Sequence, residues 1–193
     1  MSGYVAAAHD RMIAGLIIPC SVVGVDLAGG TVRVSDGAGW TSAWVRWHSQ
    51  AAGKARHWRA PSLGEQGALI SPSGEPAQGT FVPGLYGNAG AQPDNRDHVE
   101  VWRFDDGGSL VYDWQAKSYS ISLPSGTVNI QVAGSSAVIT DSAITAKADT
   151  ISLTGQITLD GEVRITRALK VASDIHGGGK IIDTGGNTPN HKH

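Results

Sequence analysis

One cysteine in 193 residues, Cys20, leaves no intrachain disulfide framework and no cysteine spacing for a structural zinc site. A lone cysteine of this kind is read as a small buried apolar side chain. Charge is scarce as well: 17% of residues carry it and the formal net charge is −2, which removes the basic footprint expected of a nucleic-acid or anionic-membrane binder. No stretch approaches the ~18 apolar residues of a membrane span. The apolar run Met12-Ile13-Ala14-Gly15-Leu16-Ile17-Ile18 follows Asp10-Arg11 and ends on Pro19-Cys20, a poor cleavage context, so it is assigned to the fold and not to a secretory signal. Synthesis in the cytoplasm without a signal peptide is the expectation. Aromatic residues are missing from the last third. All six Trp, all four Tyr and both Phe lie at or before Tyr119, so any core built beyond that point is aliphatic.

What is present divides the chain into four parts. Residues 1–15 form an N-terminal segment with weak helical character. Residues 16–90 read as a small all-β unit: Val23, Val25 and Leu27 alternate, Gly29-Gly30 makes a turn, and Val32 and Val34 resume the alternation. Trp44-Val45-Arg46-Trp47, Ala68-Leu69-Ile70 and Thr80-Phe81-Val82 are further strands, separated by Gly, Pro and Ser. About five short strands in some seventy residues fit an OB-like barrel. The stretch 87–95 has linker composition. In 91–175, Val99, Val101 and Arg103 on one side and Leu110, Tyr112 and Trp114 on the other flank Asp105-Asp106-Gly107-Gly108, a hairpin signature.

From Tyr119 to Ser173 the chain is Ser/Thr-rich with aliphatic residues in i, i+2 pairs, and four of them, Ile151/Leu153, Ile157/Leu159, Val163/Ile165 and Leu169/Val171, recur every six residues. That regularity belongs to a fibre or solenoid. Burying two aliphatic side chains per six residues contributes at most ~3–6 kcal/mol, against ~6–12 kcal/mol for ordering six backbone residues. One such strand cannot stand alone. Three chains sharing a core and hydrogen-bonded ladders close the gap. In 176–193, Gly177-Gly178-Gly179 and Gly185-Gly186 permit tight reversals, and His191 and His193 sit at i, i+2, on one side of an extended chain. Two imidazoles are too few to close a metal site, but three copies supply six nitrogens. An octahedral nitrogen set disfavours zinc and suits iron or nickel.

The stretches Trp58-Arg59-Ala60-Pro61-Ser62-Leu63-Gly64-Glu65-Gln66, Leu69-Ile70-Ser71-Pro72-Ser73-Gly74-Glu75 and Val82-Pro83-Gly84-Leu85-Tyr86 resemble the baseplate assembly protein V family, the central spike proteins of contractile phage tails and R-type pyocins. Asp105-Asp106-Gly107-Gly108-Ser109-Leu110-Val111-Tyr112-Asp113, the Ser/Thr-rich repeats and the His-x-His continue the likeness from about Leu16 to His193. The order of these stretches is more specific than any one of them. The resemblance implies an all-β homotrimer with an OB-fold collar, an intertwined triple-stranded β-helix and a pointed apex, where His191 and His193 of each chain hold one iron ion. It further implies a place in a virion tail baseplate or pyocin particle, with the baseplate hub protein and tail tube as partners. The host outer membrane is the target, pierced when the sheath contracts. Some relatives carry a lysozyme domain after the collar; here the linker after Tyr86 reaches the Asp-Gly hairpin within twenty residues, which leaves no room for one.

Two other classes compete. A trimeric left-handed β-helix acyltransferase is also six-periodic, with His176 as candidate base, but such repeats carry one aliphatic per hexad and need more than four turns. An OB-fold nucleic-acid-binding module would stack bases on Trp44, Trp47 and Trp58 and contact phosphates through Arg46, Arg56 and Arg59. The net negative charge instead places these residues in the barrel or a trimer interface, with no nucleic acid as partner. A hydrolase needs converging carboxylates or a nucleophile with its base. Asp105 and Asp106 belong to the hairpin, Glu65 fits a turn, and His9, His48, His57 and His98 show no metal spacing. The expectation is a structural protein and not an enzyme.

Overall fold

The computed structural model describes residues 2–180 and 182. The chain divides into two compact units, the first ending at Thr127 and the second beginning at Val128.

In the first unit, helix α1 (Ser2–Ala14) precedes strands β1 (Ile17–Asp26), β2 (Thr31–Ser35), β3 (Val45–Trp47), β4 (Gln66–Ile70) and β5 (Thr80–Leu85). The strands close into a barrel in the order β1-β2-β3-β5-β4, with β3 and β5 parallel and the other pairs antiparallel. This is the connectivity of a small Greek-key barrel of the OB type. Its core is Cys20, Val22, Val32, Val34, Val45, Leu69 and Phe81, with Leu69 and Phe81 fully buried. Phe81 fits because Gly67 lies against it: a Cβ at Gly67 would stand 2.7 Å from the Phe81 ring. Burial pushes the Cys20 thiol up, as expected of an inert core cysteine.

The phase of β1 differs from the sequence expectation. Cys20 and Val22 point inward, while Val23 is 50% exposed. Val22 pairs with Val34 but Gly24 pairs with Arg33, so Val23 is one extra residue in the ladder. Such a bulge switches the inward face from even to odd positions. Val25 therefore packs against the core as expected, and Val23 and Leu27 do not.

Past the barrel, β6 (Val99–Arg103), β7 (Ser109–Asp113) and β8 (Ser118–Ser122) form a three-stranded antiparallel meander. The β6–β7 turn is the one its sequence asks for. Gly107 N–H donates to Phe104 O at 3.1 Å, Phe104 N–H donates to Gly108 O at 2.9 Å, and Gly107 adopts φ +86°. That is a tight turn closed by a left-handed residue, which glycine adopts without strain.

The second unit opens with another antiparallel meander, β9 (Val128–Val132), β10 (Ser135–Ile139) and β11 (Ile144–Lys147). From 148 to 180 the described chain forms no helix or strand. Within it, Gly155 and Gly161, six residues apart, adopt nearly the same positive-φ state, at φ +123° and +128°.

Candidate functional site

Cross-strand partners share a face of a sheet, so the register of β9–β11 fixes which residues stand together. Val128, Ile139 and Ile144 align across the three strands, and Ile130, Ala137 and Ala146 form the next row. The other face carries Asn129 beside Val138 and Thr145, and Gln131 beside Ser136 and Lys147. One face is thus aliphatic and the other mostly polar. The aliphatic face is uncovered within the chain, Ile144 being 80% exposed.

The hexad pairs behave in the same way. From Ile151 to Val171 the eight aliphatic side chains are between 46 and 70% exposed. Among the described residues, no hydrophobic residue after Phe81 is buried. Covering the remaining surface of those eight side chains is worth ~7–14 kcal/mol per chain at the usual value for burying an aliphatic side chain. An apolar surface this continuous marks an interface. The aliphatic surface of the second unit is therefore of the kind that a partner surface covers.

The barrel engages three of the six Trp and Arg residues that could have served a nucleic-acid site, Trp44, Trp47 and Arg59. Trp47 packs against the core and meets Trp58 at a ring distance of 5.4 Å and a tilt of 57°. Trp44 lies over Gly24, where a Cβ would come within 3.3 Å of its ring. Arg59 holds Glu65 through both guanidinium nitrogens, and Glu65 also accepts from the backbone N–H of Ser62 at 2.9 Å. The carboxylate at Glu65 thus ties down the loop before β4, and this pairing, invisible in sequence spacing, explains it. Arg46, Arg56 and Trp58 remain exposed. Asp106 accepts from Gly108 N–H at 2.9 Å, which makes it part of the hairpin turn.

A charged cluster follows the barrel. Arg96 donates from Nε and Nη2 to both Asp94 oxygens at 3.0 and 2.8 Å, and from Nη1 to Asp113 at 3.2 Å. Asp113 also accepts from the N–H groups of Gln115 and Ala116, closing the β7–β8 turn. The Arg96 guanidinium holds the Asp94 carboxyl well below the usual carboxylate range, and the two turn amides, Ala116 first, lower Asp113. His98 lies 3.0 Å from Asp97 and 3.9 Å from Asp113. His57 meets Trp102 edge-on at 6.1 Å, His48 donates its N–H to Phe81 O, and His9 lies exposed on α1. His176 is exposed, in no regular element. Among the described residues, no group of three or more His, Cys, Asp or Glu side chains is arranged to hold a metal. His191 and His193 lie outside the described residues. No described helix is long and apolar enough to cross a membrane.

Known proteins fit this geometry. Residues 18–86 match the type VI secretion system/phage-baseplate injector OB domain, which covers the barrel, and residues 100–177 match the Gp138 beta helical trimerization domain, which covers both meanders and the hexads. An injector OB domain followed by a β-helical trimerization domain defines a class, the spikes of tail baseplates. The chain is also 28% identical over 198 residues to the Spike protein of Escherichia phage P2, spanning 95% of this chain and 89% of that protein. It belongs to the baseplate spike family of phage tails.

Proposed function

We propose that this chain forms the piercing tip of a contractile tail, in a phage or a pyocin particle. Three copies assemble into one spike, with the barrels as a collar against the baseplate hub protein and tail tube. The aliphatic repeats wind together into a needle that sheath contraction drives through the host outer membrane. The observation that carries this reading is the uncovered aliphatic surface running from Val128 to Val171 inside a matched trimerization domain. A surface of that kind becomes a dry axial core when three chains share it.

The mechanical role follows from that core. Load along the axis of a shared β-helix is borne by many backbone hydrogen bonds in parallel, and pairing between chains removes the free strand edges that otherwise aggregate. No catalytic group is required: Glu65 and Asp106 are engaged in loop and turn geometry.

At the tip, His191 and His193 of three chains supply six imidazole nitrogens. That donor set fits one iron ion per trimer and does not fit four-coordinate zinc. A bound ion would tie three chain ends together. Imidazoles ligate only when neutral, so acid is expected to release the metal. The variant His191→Ala/His193→Ala is expected to lose iron while keeping the trimer mass, as read by elemental analysis and native mass spectrometry. Unchanged iron in the variant overturns the metal assignment, and a monomeric wild type overturns the spike.

A further inference from the structure

Between Gly37 and Gly64 the chain carries Arg46, Lys54, Arg56 and Arg59, no Asp or Glu, and four of the six tryptophans. The whole chain has 15 Lys and Arg against 17 Asp and Glu, so the residues outside this stretch have 11 against 17, a formal charge of −6. Charge is thus divided by sign. Most of the stretch is the connection from β3 to β4, and that loop is folded on itself. Ala52 and Arg56 form an antiparallel bridge, His57 N–H donates to Ala51 O at 2.9 Å, and the Ser49 hydroxyl donates to His57 O at 2.6 Å. Lys54 stands on the turn that the bridge closes. Strand alternation buries Val45 and seats Trp47 against the core, which turns Arg46 outward between them. Trp58, 65% exposed, meets Trp47 and ties the return of the loop to β3. The Arg59 guanidinium is engaged by Glu65. Arg46, Lys54 and Arg56 are exposed, and among the described residues no carboxylate pairs with them.

We propose that the β3–β4 loop, through Arg46, Lys54, Arg56 and Trp58, is the face by which the collar grips an acidic surface of the baseplate hub protein. This rests on the collar placement proposed above and adds the face and the chemistry of the contact. Uncompensated charge of one sign selects a partner of the other sign, because complementary fields steer encounter and fix register. Trp and Arg are also the residue types that concentrate binding energy at protein contacts. A second copy is the wrong occupant. Three loops of like charge repel one another, and the loop lies outside residues 100–177, which match the trimerization domain. A nucleic acid fits no better. Trp40 and Trp47 pack against the core and Trp44 lies over Gly24, which leaves Trp58 as the main stacking platform where strand binding uses a series. A long polyanion also reaches past the loop and meets the acidic remainder of the chain. An acidic patch on a folded partner is local and meets the loop alone.

Binding of the full-length chain to the purified baseplate hub protein tests this. Arg46→Glu/Arg56→Glu is expected to weaken the complex at least tenfold at low ionic strength. Wild-type affinity is expected to fall steeply with added salt, and that of the variant to fall less. Equal affinity of the two proteins, or a wild-type affinity indifferent to salt, overturns the proposal and leaves the collar–hub contact standing. A wild type that does not bind the hub overturns the collar placement itself. Tighter retention of the wild type on immobilised single-stranded DNA than on the hub assigns the loop to a nucleic acid and overturns the protein partner. Native mass spectrometry separates binding from assembly: the variant is expected to keep the oligomeric state of the wild type, and its loss would make the loop a contact between copies. Arg46 holds a strand position, so a variant without the barrel's thermal transition is replaced by Lys54→Glu/Arg56→Glu, both in the loop, under the same tenfold criterion.

Discussion

Ser42 shows how much a single polar side chain decides in this barrel. It is buried; its hydroxyl accepts from Val34 N–H at 3.0 Å and donates to Ala43 O at 2.7 Å, and its own N–H donates to Val34 O at 2.8 Å. The serine acts as a short piece of ladder beyond the end of a strand. Removing its hydroxyl leaves Val34 N–H buried without a partner. Ser42→Ala is expected to destabilise the barrel by ~1–3 kcal/mol in denaturant melts. Val23→Ala, at the bulge, is expected to change stability by less than ~0.5 kcal/mol. If Val23→Ala is the costlier, the observed phase of β1 is wrong. Nothing in the sequence distinguishes Ser42 from the many other serines, because its role depends on a contact eight residues away. Val32, Val34, Val45, Leu69 and Phe81 were legible as core from alternation and β-propensity alone. Val23 was misread because an inserted residue leaves no mark in a hydrophobic pattern.

Among the elements, the tie between the post-barrel linker and the β7–β8 turn depends on ionised carboxylates. Asp94 and Asp113 both have lowered pKa values in the folded chain. A group whose folded pKa lies below its unfolded value adds stability above the unfolded pKa and loses it as pH falls through the folded one. The window here opens near pH 4, the ordinary carboxylate value, and extends below it. Asp94→Asn removes part of this dependence. Its melting temperature is expected to lie below wild type at pH 7, with the two curves converging as pH falls from about 5 toward 2. A constant offset across that range would mean that Asp94 acts by something other than its charge. The turn of the β6–β7 hairpin was legible, since Asp-Asp-Gly-Gly names it. Its register was not: Val101 pairs with Val111 and Trp102 with Leu110. A period-two pattern tells which residues share a face of one strand, but only register tells which strands' faces coincide.

For the whole molecule, assembly and stability are one quantity. The second unit buries no hydrophobic residue among those described, so in the proposed spike its order depends on neighbouring copies. Mass action then makes the thermal midpoint of the repeat region rise with protein concentration. A midpoint that stays fixed over a hundredfold dilution series contradicts a shared core. The hexads declared this dependence in the sequence, through aliphatic pairs too sparse to fold one strand. His191 and His193 lie outside the described residues, and the sequence alone offers them as two imidazoles that a metal site would need further copies to complete.

Because every tryptophan and tyrosine lies in the first unit, near-ultraviolet absorbance and intrinsic fluorescence see the barrel and the β6–β8 meander and are blind to the second unit. An optical melt of this protein therefore records the first unit alone. Setting such a melt beside one followed through the peptide bond separates the two units without a label.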